Sequence, residues 1–207
     1  MLDDKDQSET ILPKKCDFSE EKMDLIKRGL EDLDFLATGH HELIECLITD
    51  IFILPSERAR GGSTSQAIGV IWFDPKLSYG PCDVMEMIVH ELTHQLMFID
   101  ELRRPHYDYA LLLKENSWPT SAILKTRRPF DKALHSAVVA MEVLLLRNNY
   151  IGHPQEPAVH PPTRILQDQL LDTINSMDEI LEKNQDILMS RGHEIIENLK
   201  LNSGNLN

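Results

Sequence analysis

The sequence predicts a helix-rich α+β fold, with a small sheet packed on a long helix and a further long amphipathic helix closing the chain. Short apolar runs bounded by turn residues are confined to residues 43–73, and three long segments with apolar residues three and four apart follow them. Size supports the same reading. At 207 residues and 42% hydrophobic composition, the chain can bury a sizeable core without disulfides.

The elements follow in order. Residues 1–18 are polar and aperiodic and are expected to form a flexible N-terminal arm. Ser19-Glu20-Glu21 has the composition of a helix start, and Met23, Ile26, Leu30 and Leu33 continue it at helical spacing. Leu43–Leu54 (LIECLITDIFIL) ends at Pro55 and predicts a strand or strand pair. Arg60–Ser65 reads as a loop, and Ala67–Phe73 (AIGVIWF) as a short buried strand closed by Asp74-Pro75. The next pattern predicts a helix over Asp83–Leu102, striped by Val84, Met85, Ile88, Leu92, Leu96 and Ile99. Arg103–Thr126 has no period, Phe130–Arg147 is a strongly apolar helix, and Gly152–Pro162 (GHPQEPAVHPP) reads as a linker or ordered loop. Thr163–Ser190 predicts a long helix with Leu166, Leu170, Ile174, Met177 and Leu181 on one face, broken by Gly192. The expected organisation is therefore an arm (1–18), a metal-binding catalytic domain (19–162) and a C-terminal helical extension (163–207). That extension packs either on the domain or on a second copy, as a homodimer.

Charge narrows the partners. Lys plus Arg is 21 and Asp plus Glu is 34, a net charge of -13. That balance disfavours nucleic acid and anionic membrane and suits a basic peptide. Three cysteines (Cys16, Cys46, Cys82) without CxxC spacing fit reduced thiols in the cytoplasm. No apolar run approaches the roughly 18 residues of a membrane span, and the acidic start MLDDKDQSET does not resemble a signal peptide.

The chemistry centres on His90-Glu91-Leu92-Thr93-His94, an HExxH motif on the predicted helix. Residues four apart on a helix lie about 40° apart, so both imidazoles can reach one metal ion, with Glu91 beside them. The pair projects away from the Ile88 and Leu92 stripe, while Met87, Met97 and Phe98 flank its own face. A helix apolar on both sides is buried on both, which places the pair in an interior pocket. Two histidines leave a site incomplete. A metzincin continuation fails, because Met97 stands where its glycine belongs and Asp100 where its last ligand would be. Glu115, Glu142 and His135 stay open as the third ligand. Burying an imidazole among Leu134, Ala137 and Val138 is costly unless it is hydrogen-bonded or metal-bound.

Three runs together resemble a known family: Gly69-Val70-Ile71-Trp72-Phe73, Val89-His90-Glu91-Leu92-Thr93-His94, and Arg128-Pro129-Phe130-Asp131-Lys132-Ala133-Leu134-His135. They are similar to the HExxH-domain peptide-modification proteins, associated with 2-oxoglutarate-dependent β-hydroxylation of ribosomally made peptides. The resemblance covers about residues 60–147. It implies iron(II) held by His90, His94 and His135, with 2-oxoglutarate as cosubstrate. The far carboxylate of 2-oxoglutarate wants a guanidinium, and Arg128, with Arg127 beside it, is the candidate; a solvated helix start is the plainer reading of both. Glu142 fits no gluzincin pattern, since Leu146 follows it by four, so His135 is the expected third ligand.

Two other functions compete. A zinc metallopeptidase would use Glu91 as general base, with Glu142 or His135 completing the site. A catalytically silent metal fold would bind peptide inside a larger complex. Trp72 and Trp118 are expected to be wall or core, and His40, His41, His153 and His160 to carry no chemistry.

Overall fold

The computed structural model describes residues 19–56 and 59–206, so the arm expected over 1–18 lies outside the described residues. The chain divides into two compact units, Met1–Gln95 and Leu96–Asn207.

In the first unit, α1 (Glu20–Leu36) starts where Ser19 accepts a bond from Lys22 N at 3.3 Å, and it buries Ile26, Gly29 and Leu33. A side chain at Gly29 would lie 2.4 Å from Val84 Cγ1, so this glycine permits close helix approach. Helix α2 (Thr38–Leu47) takes residues 43–47 from the expected strand, leaving only β1 (Asp50–Ile53) extended. A short apolar run does not distinguish helix from strand by periodicity, and here the first half turns helical around buried Ile44. The expected loop at 60–65 contains β2 (Gly61–Ser63), and β3 is Val70–Phe73. Glycine hides a strand from propensity. At Gly62 it is required, because a Cβ there would lie 2.5 Å from the Trp72 ring.

The sheet order is β1-β3-β2, with β1 parallel and β2 antiparallel to β3. Ile71 and Phe73 are fully buried on one face. Buried Asp74, just after β3, accepts from Lys22, from Arg60 at 3.0 Å and from Ser56 N at 2.9 Å, which pins the loop before β2. Helix α3 (Pro81–Arg103) then carries the motif under the sheet, and the boundary between the units falls within it.

In the second unit, α4 (Tyr109–Leu112) and a short 3-10 turn (Glu115–Ser117) occupy part of the stretch expected to be irregular. Helix α5 (Phe130–Leu146) packs against α6 (Thr163–Leu181) and α7 (Ser190–Ser203), around Leu134, Val143, Leu144 and the expected α6 face. Leu166, Leu170, Ile174, Met177 and Leu181 are all buried in this core, so α5 and α7 cover the face that a second copy would have used. The expected helix over 163–190 stops at Leu181, where the polar run Glu182–Asp186 ends the apolar stripe. Gly192 does not break a helix. It lies inside α7, where a Cβ would stand 2.5 Å from His106 O. The proline-rich segment 152–162 is an ordered loop: fully buried Arg147 donates to Pro161 O at 2.7 Å. Among the described residues no helix is long and apolar enough to cross a membrane.

Candidate metal centre

Helix α3 is buried on opposite sides, by Ile88 and Leu92 and by Met87, as the double stripe requires. On it His90 Nε2 and His94 Nε2 stand 3.2 Å apart, with ring centroids 4.9 Å apart and planes inclined at 64°. The separation fits shared ligation. Two nitrogens at about 2.0–2.1 Å from a tetrahedral ion are about 3.3 Å apart, and at adjacent octahedral positions about 3.0 Å apart. Both rings are half-buried.

Glu91 is buried, and its Oε2 accepts from Ser63 Oγ of β2 at 2.8 Å. Burial lifts its carboxyl pKa to about 7, against the opposing pull of the Ser63 bond. A side chain at Gly61 would meet Glu91 Oε1 at 3.0 Å, so the glycine strand makes space for the carboxylate. One turn on, fully buried Gln95 accepts from Gly69 N at 2.8 Å and donates to Val70 O at 3.2 Å. Gly69 has φ +88°, a left-handed conformation suited to glycine, and the clamp fixes how α3 lies against β3. Thr93 turns inward on the helix and donates to Val89 O at 2.7 Å.

The remaining expected residues belong to the second unit. His135 is buried on α5 against the Phe98 ring, centroids 5.3 Å apart. Burial, aided by the nearby charge of Lys132, holds its pKa down to about 3, so the imidazole is neutral, the form that ligates metal. Glu142 is half-buried on the same helix, and Glu115 is exposed. Arg127 is exposed and donates to Trp118 O at 2.9 Å and Glu115 O at 3.3 Å, which closes the loop ahead of α5. Arg128 is half-buried, and its backbone N–H donates to Pro119 O at 3.0 Å. Asp100 is engaged by Arg191 and His106 at 2.7 and 2.8 Å. Among the described residues no group of three or more His, Cys, Asp or Glu side chains is arranged to hold a metal ion. What the structure brings together is the His90–His94 pair, while Glu91, between them in the chain, engages Ser63.

From the sequence, Ser63-Thr64-Ser65 could line a substrate channel without anything demanding it; the Ser63 bond to Glu91 and the Gln95 clamp were not foreseen. Gln95 had a readable signal, as a polar residue one place after His94 in a helix buried on both sides. Ser63 had none, because it stood in an expected loop. No family model matches the chain, and no curated protein matches it.

Proposed function

We propose that the chain is a metal-dependent oxygenase that hydroxylates a residue of a peptide, using iron(II) and 2-oxoglutarate. The observation that supports it is the His90–His94 pair, whose 3.2 Å nitrogen separation suits two ligands of one ion. His90 and His94 would hold the iron, with His135 as the third protein ligand that the family resemblance implies. When bound, iron(II) with 2-oxoglutarate and dioxygen supplies the oxidising power to convert a C–H bond to C–OH, with succinate and carbon dioxide as coproducts. The chain's own part is to hold and exclude. Neutral His135 presents a lone pair without first losing a proton, and buried Glu91 and Gln95 keep the motif turn in register with the sheet. Arg128 would be the cation for the far carboxylate of 2-oxoglutarate, as its match to the Arg-Pro of the resembled family implies; the Arg127 guanidinium donates to two backbone carbonyls.

A second reading, a zinc-dependent peptide hydrolase, is favoured by Glu91. A buried carboxylate beside a histidine pair can take a proton from a nucleophile and return it to a leaving group. Anaerobic loading with iron(II), followed by 2-oxoglutarate and oxygen, separates the two. Succinate formation and a gain of one oxygen on a peptide are expected. Peptide cleavage by the zinc-loaded chain, abolished by Glu91→Gln, would replace the oxygenase with the hydrolase. Turnover with neither metal would leave a peptide-binding role.

A further inference from the structure

Strand β2 is an outer strand of the sheet, and its neighbours fix where its unshared backbone groups point. Asp74 N donates to Arg60 O at 2.8 Å, which makes residues 60 and 74 a hydrogen-bonded pair in the register that sets Gly61 against Phe73. Such pairs alternate along an antiparallel ladder. Gly62 therefore bonds to Trp72, while Gly61 and Ser63 aim their N–H and C=O groups away from β3. The far side of β3 agrees. Phe73 O accepts from Leu54 N at 3.0 Å, so the backbone of Phe73 is turned toward β1. Among the described residues neither Gly61 nor Ser63 has a backbone bond on that outer side. Protein edges are usually blunted by Lys, Pro or a bulge, and Gly-Gly-Ser offers none of these.

We propose that an extended peptide adds to the outer edge of β2, pairs its backbone with Gly61 and Ser63, and is thereby laid beside the Glu91 carboxylate. The strand is stripped for backbone recognition. A side chain at Gly61 would crowd Glu91 Oε1 at 3.0 Å, and one at Gly62 would run into the Trp72 ring. The Ser63 hydroxyl, 2.8 Å from Glu91 Oε2, makes this edge continuous with the candidate site. A second copy fits poorly as the occupant. Strands of three residues cannot supply the roughly 800 Å² per partner of a stable interface. The net charge of -13 favours a basic peptide. The inference rests on the proposed function only for what is done to the docked peptide, since docking itself needs no metal.

The test uses a displayed library of random peptides of about twelve residues, selected on the full chain as purified; the strongest binder is then resynthesised with single N-methyl groups at each position. N-methylation at alternate positions is expected to weaken binding about tenfold or more, and at the positions between by less than about twofold. Exchange of the Gly61 and Ser63 amides is expected to slow on binding by about tenfold or more. The binder is also expected to keep its affinity for the His90→Ala/His94→Ala chain, so loss of docking and loss of the metal reading are separable. Absence of any enriched binder, methylation effects without alternation, or unchanged exchange at both amides would each overturn the proposal. So would protection of those amides that rises with protein concentration alone, which would assign the edge to a second copy. The results that overturn the proposal are read on the unaltered chain, so none of them depends on a variant that fails to fold.

Discussion

Glu91 on α3 and Leu170 on α6 are both buried helical side chains, at 4% and 0% exposure, and their burial acts in opposite directions. Leu170 and its neighbours contribute roughly 2 kcal/mol each by leaving water. Burial of Glu91 disfavours its charge and lifts its pKa to about 7, against the hydrogen bond from Ser63. The apolar face of α6 is what packing produces, whereas the motif turn buries an ionisable carboxyl that packing does not need. Substitutions in the two regions should therefore fail differently, one in folding and the other in chemistry.

The largest effect is expected at the histidine pair. His90→Ala or His94→Ala should remove bound metal, lowering affinity by about 100-fold or more, with the far-ultraviolet spectrum unchanged. Metal analysis after dialysis measures it. His135→Ala is expected to match them, and Glu142→Gln to retain metal. Metal lost with Glu142→Gln and kept with His135→Ala would transfer the third ligand to Glu142 and favour the hydrolase.

On the other side of the comparison, Leu170→Asp or Ile174→Asp puts an unpaired charge into the core of the second unit. A loss of about 3–5 kcal/mol is expected, with a Tm drop of about 10 °C or more, read by calorimetry. An unchanged Tm would mean that α6 does not hold its unit together.

The difference between the regions also explains what the sequence could reveal. The α6 face was legible because its residues are packed locally, turn upon turn, and periodicity records that. The His90–His94 pair was legible for the same reason, as two residues one turn apart. Strand β2 was not, because its place in the sheet comes from Trp72, and Gly-Gly-Ser carries no periodicity of its own. The end of α6 was misplaced because residues 182–189 keep a helical composition while the apolar stripe stops at Leu181. Gly192 misled for a steric reason: it allows close approach to His106 O inside α7, where composition suggests a break.

Ser63 gives a smaller and sharper test of the motif region. Ser63→Ala leaves the Glu91 carboxyl buried without its donor, so a loss of about 1–3 kcal/mol is expected. Glu91→Leu in the same background should cancel most of it. A double-mutant cycle by urea unfolding measures the coupling, and additive effects would show that the bond carries no net stability.

The smallest effect is expected at Asp100, which lies on α3 six residues beyond His94 but behaves as the α6 region does. Partial burial would raise its pKa, yet hydrogen bonds from Arg191 and His106 outweigh that and hold it below the ordinary carboxylate value. A carboxylate lowered on folding binds fewer protons folded than unfolded, so its contribution is fully present above the unfolded value of about 3.9 and is lost as pH falls through the folded one. Asp100→Asn should therefore cost about 1–2 kcal/mol at neutral pH, and the gap from the parent chain should close in strongly acid solution. Urea midpoints measured from pH 7 downward test this. A gap that stays constant into acid would assign the loss to packing and not to charge. Metal retention by His90 and His94 should be unchanged throughout, because the Asp100 carboxylate is already committed to α7 and His106.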